Sequence, residues 1–144
     1  MSDSHLNSML PAGTYTGKTV LITGGGTGLG KSIATYLASL GANIVITGRR
    51  AEVLEQTAKE ISEATGAQVL GVAGDVRNIE DVERVLAESI AKFGSVDVLL
   101  NNAAGNFVSP TERLSHRAFE SVIGIVLQGT VNFTLTLGKY WIQE

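Results

Sequence analysis

The feature that most limits what this chain can fold into is the run Thr23-Gly24-Gly25-Gly26-Thr27-Gly28-Leu29-Gly30, set between a short apolar stretch and an amphipathic one. Before it stands Thr19-Val20-Leu21-Ile22-Thr23, which reads as a buried parallel strand. After it, Leu29, Ile33, Leu37 and Leu40 share one helical face, and Gly41 stops that helix. A strand that passes through glycines into a helix gathers unpaired N–H groups and the positive end of the helix dipole at one point, with no Cβ in the way. Such a turn is built to hold the pyrophosphate of a dinucleotide. Gly24 is expected to make the sharp exit from the strand, Gly28 to admit backbone contact, and Gly30 to let the helix lie close to the sheet. Gly26, Thr27 and Leu29 complete the expected cofactor contacts. The spacing is G-x-x-x-G-x-G and not G-x-G-x-x-G, and no Gly-Lys-Ser/Thr follows, so this is not a P-loop. A tight turn with no ligand is the alternative.

The strand–helix cycle repeats. Asn43 to Thr47 reads as a second strand, Ala51 to Thr65 as a helix closed by Gly66, and Gln68 to Val76 as a third strand. Ile79 to Phe93 reads as a helix closed by Gly94, and Val96 to Asn101 as a fourth strand with Asp97 at its start. Alternation on this scale makes right-handed βαβ units. The expected fold is therefore α/β, a Rossmann-type doubly wound parallel sheet with strand order 3-2-1-4 and the later strands missing. Residues 1–15 read as a flexible tail and 16–144 as the dinucleotide-binding domain. After a polar loop from Asn102 to Leu114, the span from Ser115 to about Trp141 reads as one long helix. Its apolar residues cover more than one stripe, so it should be buried on two sides. One side can meet this sheet. The other needs more chain or a second subunit, and a homo-oligomer is expected.

Bulk properties narrow the function classes. With 144 residues, there is room for one domain and not two. A net charge of -3 gives no electrostatic reason to expect nucleic acid as a partner. There is no cysteine, and His5 and His116 have no metal-ligand spacing, so no metal is expected. No run reaches the ~18 apolar residues of a membrane span. No targeting signal is read at the N-terminus. A cytoplasmic location is the default, with a mitochondrial or peroxisomal matrix open if a targeting segment has been removed.

The choice of dinucleotide turns on the end of the second strand. NAD binders place an acidic residue there for the ribose hydroxyls, whereas this chain has Thr47-Gly48-Arg49-Arg50. Arg49 can pair with a 2′-phosphate, and NADP(H) is the expected cofactor. The alternative is that the two arginines only decorate a helix start. Asp75, followed by Val76, ends the third strand. Its carboxylate suits either the adenine amino group or the cap of the next helix. Asn101-Asn102-Ala103-Ala104-Gly105 closes the fourth strand, with Asn102 and Ala103 placed to meet the cofactor and Asn101 to tie strands together.

Taken together, Thr23-Gly24-x-x-x-Gly28-x-Gly30, Asp75 and Asn101-Asn102-Ala103-x-Gly105 resemble the short-chain dehydrogenase/reductase family, from about Gly17 to the chain end. The run from Asn101 to Ser115 is similar to the NADPH-dependent 2,4-dienoyl-CoA reductases of that family. The resemblance implies hydride transfer from NADPH to a conjugated dienoyl thioester in fatty-acid β-oxidation, so the implied substrate is an acyl-CoA. It implies that Asn106 hydrogen-bonds the thioester oxygen, where charge builds in the dienolate. It also implies that Phe107 and Ser115 line the acyl-CoA site and that Arg77 meets a phosphate of the cofactor or of CoA. From the residues alone, Asn106 is as well read as a turn residue and Phe107 as an apolar plug.

The chain departs from the family pattern in Leu127-Gln128-Gly129-Thr130, where Leu-Asn-Gly-Thr is usual. None of Tyr15, Tyr36 and Tyr140 has a lysine four residues on, so the expectation is the N-terminal piece of a reductase. A carbonyl-reducing member of the family, or a binding module without turnover, are the other two readings.

Overall fold

The computed structural model describes residues 9–106 and 108–143, so most of the tail expected over residues 1–15 lies outside the described residues. Four strands form one parallel sheet in the order β3-β2-β1-β4. They are β1 (Thr19–Thr23), β2 (Asn43–Gly48), β3 (Val69–Ala73) and β4 (Val98–Leu100). Between them run α1 (Gly28–Ser39), α2 (Ala51–Thr65) and α3 (Ile79–Phe93), and β4 is followed by α4 (His116–Ile123) and α5 (Gly129–Gln143). The Rossmann-type sheet and its strand order are those read from the sequence.

Alternation along the strands divides the core into two layers. Val20, Ile22, Ile44 and Ile46 face α1 and α2, where Ala34, Leu54 and Ile61 meet them. Leu21, Val45 and Val72 face the other way, onto Val82, Val85, Phe133 and Leu137 of α3 and α5. Tyr15 packs against the first layer, and its N–H donates to the Leu40 carbonyl at 3.0 Å.

Two strands are shorter than their apolar runs, and both leave the sheet for a side chain. Beyond Gly74, whose N–H still reaches the Gly48 carbonyl, the Asp75 N–H turns to the Asp81 carboxylate at 2.9 Å. Beyond Leu100, the N–H groups of Asn102 and Ala103 donate to Thr23 Oγ1 at 3.0 and 2.9 Å. At the start of β4, Asp97 accepts from the Thr19 N–H at 2.8 Å and from Lys18 at 3.0 Å. Burial acts to raise the Asp97 pKa, but the Thr19 N–H and the Lys18 ammonium together outweigh it and hold the carboxyl below its usual range.

The long helix runs from His116 to Gln143 with a π turn, Gly124–Gln128, inside it. Its cap is Ser115, which accepts the Ala118 N–H at 3.1 Å. Of its apolar residues, Phe133 and Leu137 are buried, while Phe119, Val126, Leu127 and Leu135 stand exposed. One 18-residue window of this helix has a mean hydropathy of 1.4, so by length and composition alone it could cross a membrane, which residue-by-residue reading of the apolar runs does not reveal. Here it lies on the sheet, with the Trp141 indole donating to the Val96 carbonyl at 2.7 Å.

Candidate functional site

The switch in chain direction between β1 and β4 opens a cleft of about 560 Å³ at the C-terminal ends of the strands. The glycine turn forms its floor. Gly24 and Gly28 have φ of +65° and +54°, a left-handed backbone that other residues adopt only with strain. A Cβ on Gly28 would meet no atom within 4 Å, so the turn there is open to a ligand. A Cβ on Gly30 would instead collide with the Gly24 carbonyl oxygen. Gly28 is thus an approach point and Gly30 a packing point. Gly25, to which the sequence pattern assigns nothing, lies where a Cβ would strike the Ile46 side chain at 2.5 Å.

Two side chains fix the turn from outside, Asn102 and Thr57. Asn102 Nδ2 donates to the carbonyls of Thr23 and Gly24 at 2.9 and 3.2 Å. Thr57 Oγ1, from α2, donates to the Gly26 carbonyl at 2.7 Å. Lys31 and Glu60 pair between α1 and α2, and that hydrogen bond and ion pair, with help from Gln56, lower the Glu60 pKa. The strand-tying role considered for Asn101 therefore belongs to Asn102, while Asn101 donates to Thr134 Oγ1 at 3.0 Å. Thr27 gives α1 no side-chain cap, and no carboxylate occupies the first turn. The first-turn donors are left for an anion.

The structure brings Gly24, Gly26, Thr27, Gly28, Leu29, Gly30, Arg49, Asp75, Val76, Asn102 and Ala103 onto this one cleft. Arg49 and Arg50 are exposed at its rim, and neither side chain makes an ion pair or hydrogen bond among the described residues. Arg50 is also the uncapped start of α2. Two guanidiniums at a helix N-terminus are mildly unfavourable, Arg49 being eased only weakly by the charge of Asp75, and an anion would relieve them.

Asp75 does not cap α3. The cap is Asn78, whose side chain accepts the Glu80 N–H at 3.0 Å. Asp75 instead takes a two-pronged contact from Arg77, Nε to Oδ1 at 2.9 Å and an Nη to Oδ2 at 2.5 Å. The Arg77 fork holds the Asp75 carboxyl below the usual range against the opposing effect of burial, so it remains an acceptor on the cleft wall.

The substrate-side residues are not drawn together in the same way. Asn106 is exposed on the loop after β4, Ser115 is occupied as the α4 cap, and Arg77 is occupied by Asp75; none of the three lines the cleft. Phe107 lies outside the described residues. The cleft wall also holds Val53, Leu54, Gly74, Ala104 and Ile125, to which the sequence pattern gives no site role. The first two belong to the apolar face of α2 and carry a usable signal, whereas Ile125 reaches the cleft only through the π turn. Among the described residues, no group of three or more His, Asp or Glu could hold a metal.

Comparison with known proteins fits this geometry. The family model described as short chain dehydrogenase matches residues 18–144. A probable 2,4-dienoyl-CoA reductase (3E-enoyl-CoA-producing) of Caenorhabditis elegans is 48% identical over 137 residues, which is 94% of this chain and 44% of that protein. A crystal structure of a short chain dehydrogenase from Bacillus anthracis is 49% identical, covers 88% of this chain and 52% of its own, and has a TM-score of 0.83. The L-sorbose reductase of Gluconobacter frateurii, solved with NADPH and L-sorbose, is 29% identical with a TM-score of 0.79, covering 86% of this chain and 47% of its own. The chain spans about half the length of the relatives it matches.

Proposed function

The chain belongs to the short chain dehydrogenase family, and from that premise we propose that the protein is an NADPH-dependent reductase of a 2,4-dienoyl-CoA, with this cleft as its dinucleotide site. The observation that carries the cofactor assignment is the pair of exposed guanidiniums, Arg49 and Arg50, without an ion pair or hydrogen bond among the described residues, at the rim of a glycine-floored cleft with no carboxylate at the end of β2. A 2′-phosphate is the ligand group that both would pair with. The pyrophosphate fits over Gly28 and the open first turn of α1, against Thr27 and Leu29. Asp75 and Val76 would hold the adenine, the Asp75 carboxylate accepting from its amino group. Asn102 and Ala103 back the ribose.

NADPH bound here supplies hydride. The chain's own residues hold the dinucleotide in one orientation and steady the charge that appears on the acceptor. Asn106 does the steadying, its side-chain amide donating to the thioester oxygen of the substrate as negative charge gathers there. Phe107 and Ser115 belong to the acyl-CoA site in this reading, and Arg77, which holds Asp75 and does not line the cleft, would reach a phosphate of cofactor or substrate only from outside it. The likeness to L-sorbose reductase favours a second reading, a carbonyl substrate in the same cleft. The exposed apolar side of α4 and α5 suits a homo-oligomer.

The test follows NADPH oxidation by the parent protein, since the 144-residue chain by itself is expected to bind the dinucleotide without completing turnover, with a 2,4-dienoyl-CoA and, separately, with simple ketones. Turnover of the dienoyl thioester is expected. Turnover of ketones alone removes the acyl-CoA assignment and leaves the carbonyl reading. An equal preference for NADH removes the 2′-phosphate assignment.

A further inference from the structure

The cleft wall formed by Gly74, Asp75 and Val76 is held by a part of the chain far away in sequence. Asn132, buried on α5, donates its side-chain amide to the Val76 carbonyl at 3.0 Å. Its own oxygen accepts from Gln128 Nε2 at 2.8 Å. Gly129 lies so close to the same residue that a Cβ there would stand 2.5 Å from Val76 Cγ2. A Cβ on Gly124 would stand 3.2 Å from the Arg77 side chain, which grips Asp75. Gly124 and Gly129 are joined by the hydrogen bond that closes the π turn, from the Gly129 N–H to the Gly124 carbonyl. In an unbroken α-helix, residues five apart point about 140° away from each other. The wider i→i+5 turn brings both glycines round to one loop. Ile125, inside the π turn, lines the cleft, and a Cβ on Gly105 would stand 2.9 Å from it.

We infer that the π turn and Asn132 form a positioning device for the dinucleotide, setting the backbone from Asp75 to Arg77 against which its adenine half rests. The inference rests on the dinucleotide reading of the cleft given above. Asn132 touches no ligand in this arrangement and acts through Val76. A side chain that fills this buried place without donating would leave the Val76 carbonyl unsatisfied and free the wall to shift. Linkage makes the effect reciprocal: a ligand held on the wall must restrain the π turn.

The test is calorimetric titration of the full chain with adenosine 2′,5′-bisphosphate, well below the melting temperature. Asn132→Asp keeps the size and the acceptor for Gln128 but removes the donor to Val76. It is expected to weaken the bisphosphate about tenfold. A lowered Tm with unchanged affinity makes Asn132 merely structural and overturns the inference. Hydrogen exchange on the unmodified chain asks the same question should the variant not fold. The bisphosphate is expected to slow exchange across residues 124–132, and slowing confined to the glycine turn overturns the inference. If the unmodified chain takes up no bisphosphate, the dinucleotide reading of the cleft falls, and this inference with it.

Discussion

Asn102 and Gly24, at the ends of two different strands, are joined by the Asn102 Nδ2 donation to the Gly24 carbonyl at 3.2 Å. The same nitrogen reaches the Thr23 carbonyl at 2.9 Å, so one amide spans the point where β1 breaks into the glycine turn. An aspartate at this position has no donor and sets negative charge against two carbonyl oxygens. Asn102→Asp is therefore expected to lower unfolding free energy by roughly 1–3 kcal/mol. The turn would also be loosened as an anion site, with NADPH affinity falling at least about tenfold. Urea unfolding and NADPH titration read the two effects separately. A loss of stability with full cofactor affinity would show that the turn holds its shape without the clamp.

Gly28 and Gly30 separate binding from packing. Gly28→Ala meets open space but keeps a left-handed backbone, so the expected stability cost is about 1–2 kcal/mol. Its methyl, however, stands where the pyrophosphate would approach, and NADPH binding should be largely lost. Gly30→Ala drives a Cβ toward the Gly24 oxygen, a backbone atom that cannot swing aside. It should cost more stability than Gly28→Ala, by the mechanism of an overpacked core. Thermal melts of both variants check the order, and a reversed order would contradict the roles given to the two glycines.

How far the sequence can be read depends on whether the cause of each feature is local. The bounds of α2 and α3 follow from apolar spacing and the glycines that close them, and the structure keeps those bounds. The shortened β3 does not follow, because Asp81 captures the Asp75 N–H from within the next helix. The cofactor-side residues converge because a strand–glycine–helix pattern specifies a place as well as a shape. Asp75 is ambiguous in sequence, since a cap and an adenine acceptor need the same carboxylate; Asn78 taking the cap resolves the helix end. The π turn has no periodic signal at all. Its contacts are with Val76 and Arg77, far earlier in the chain, a relation visible only in three dimensions.

Arg49→Ala tests the 2′-phosphate. The side chain is exposed and makes no ion pair or hydrogen bond among the described residues, and its charge acts on Asp75 only weakly, so its removal should change Tm little. NADPH affinity should fall by about tenfold or more, the scale of one lost charge-assisted contact, while NADH affinity stays the same. Arg50→Ala is expected to act in the same direction, and the double variant should bind both dinucleotides alike. Parallel titrations with NADPH and NADH give the ratio directly. Equal losses for the two cofactors would sink the assignment.

The acid limb of the stability curve carries a last prediction, centred on Asp97 and Asp75. Both carboxyls have pKa values below their ordinary 3.8 in the folded chain. A depressed folded value means that the unfolded chain binds more protons between the two values, so stability rises with pH there. The contribution is therefore fully present above about pH 5 and is lost as pH falls from the unfolded pKa through the folded one. Asp97→Asn retains an acceptor for the Thr19 N–H but gives up the charge that pairs with Lys18. The difference in urea midpoint between the unmodified chain and Asp97→Asn should be greatest at neutral pH and should shrink as pH drops below 3.8. Asp75→Asn should behave the same way, and by releasing Arg77 it should also weaken NADPH at pH 7. A midpoint difference that stays constant from neutral pH into acid would mean that these carboxylates carry no proton-linked stability.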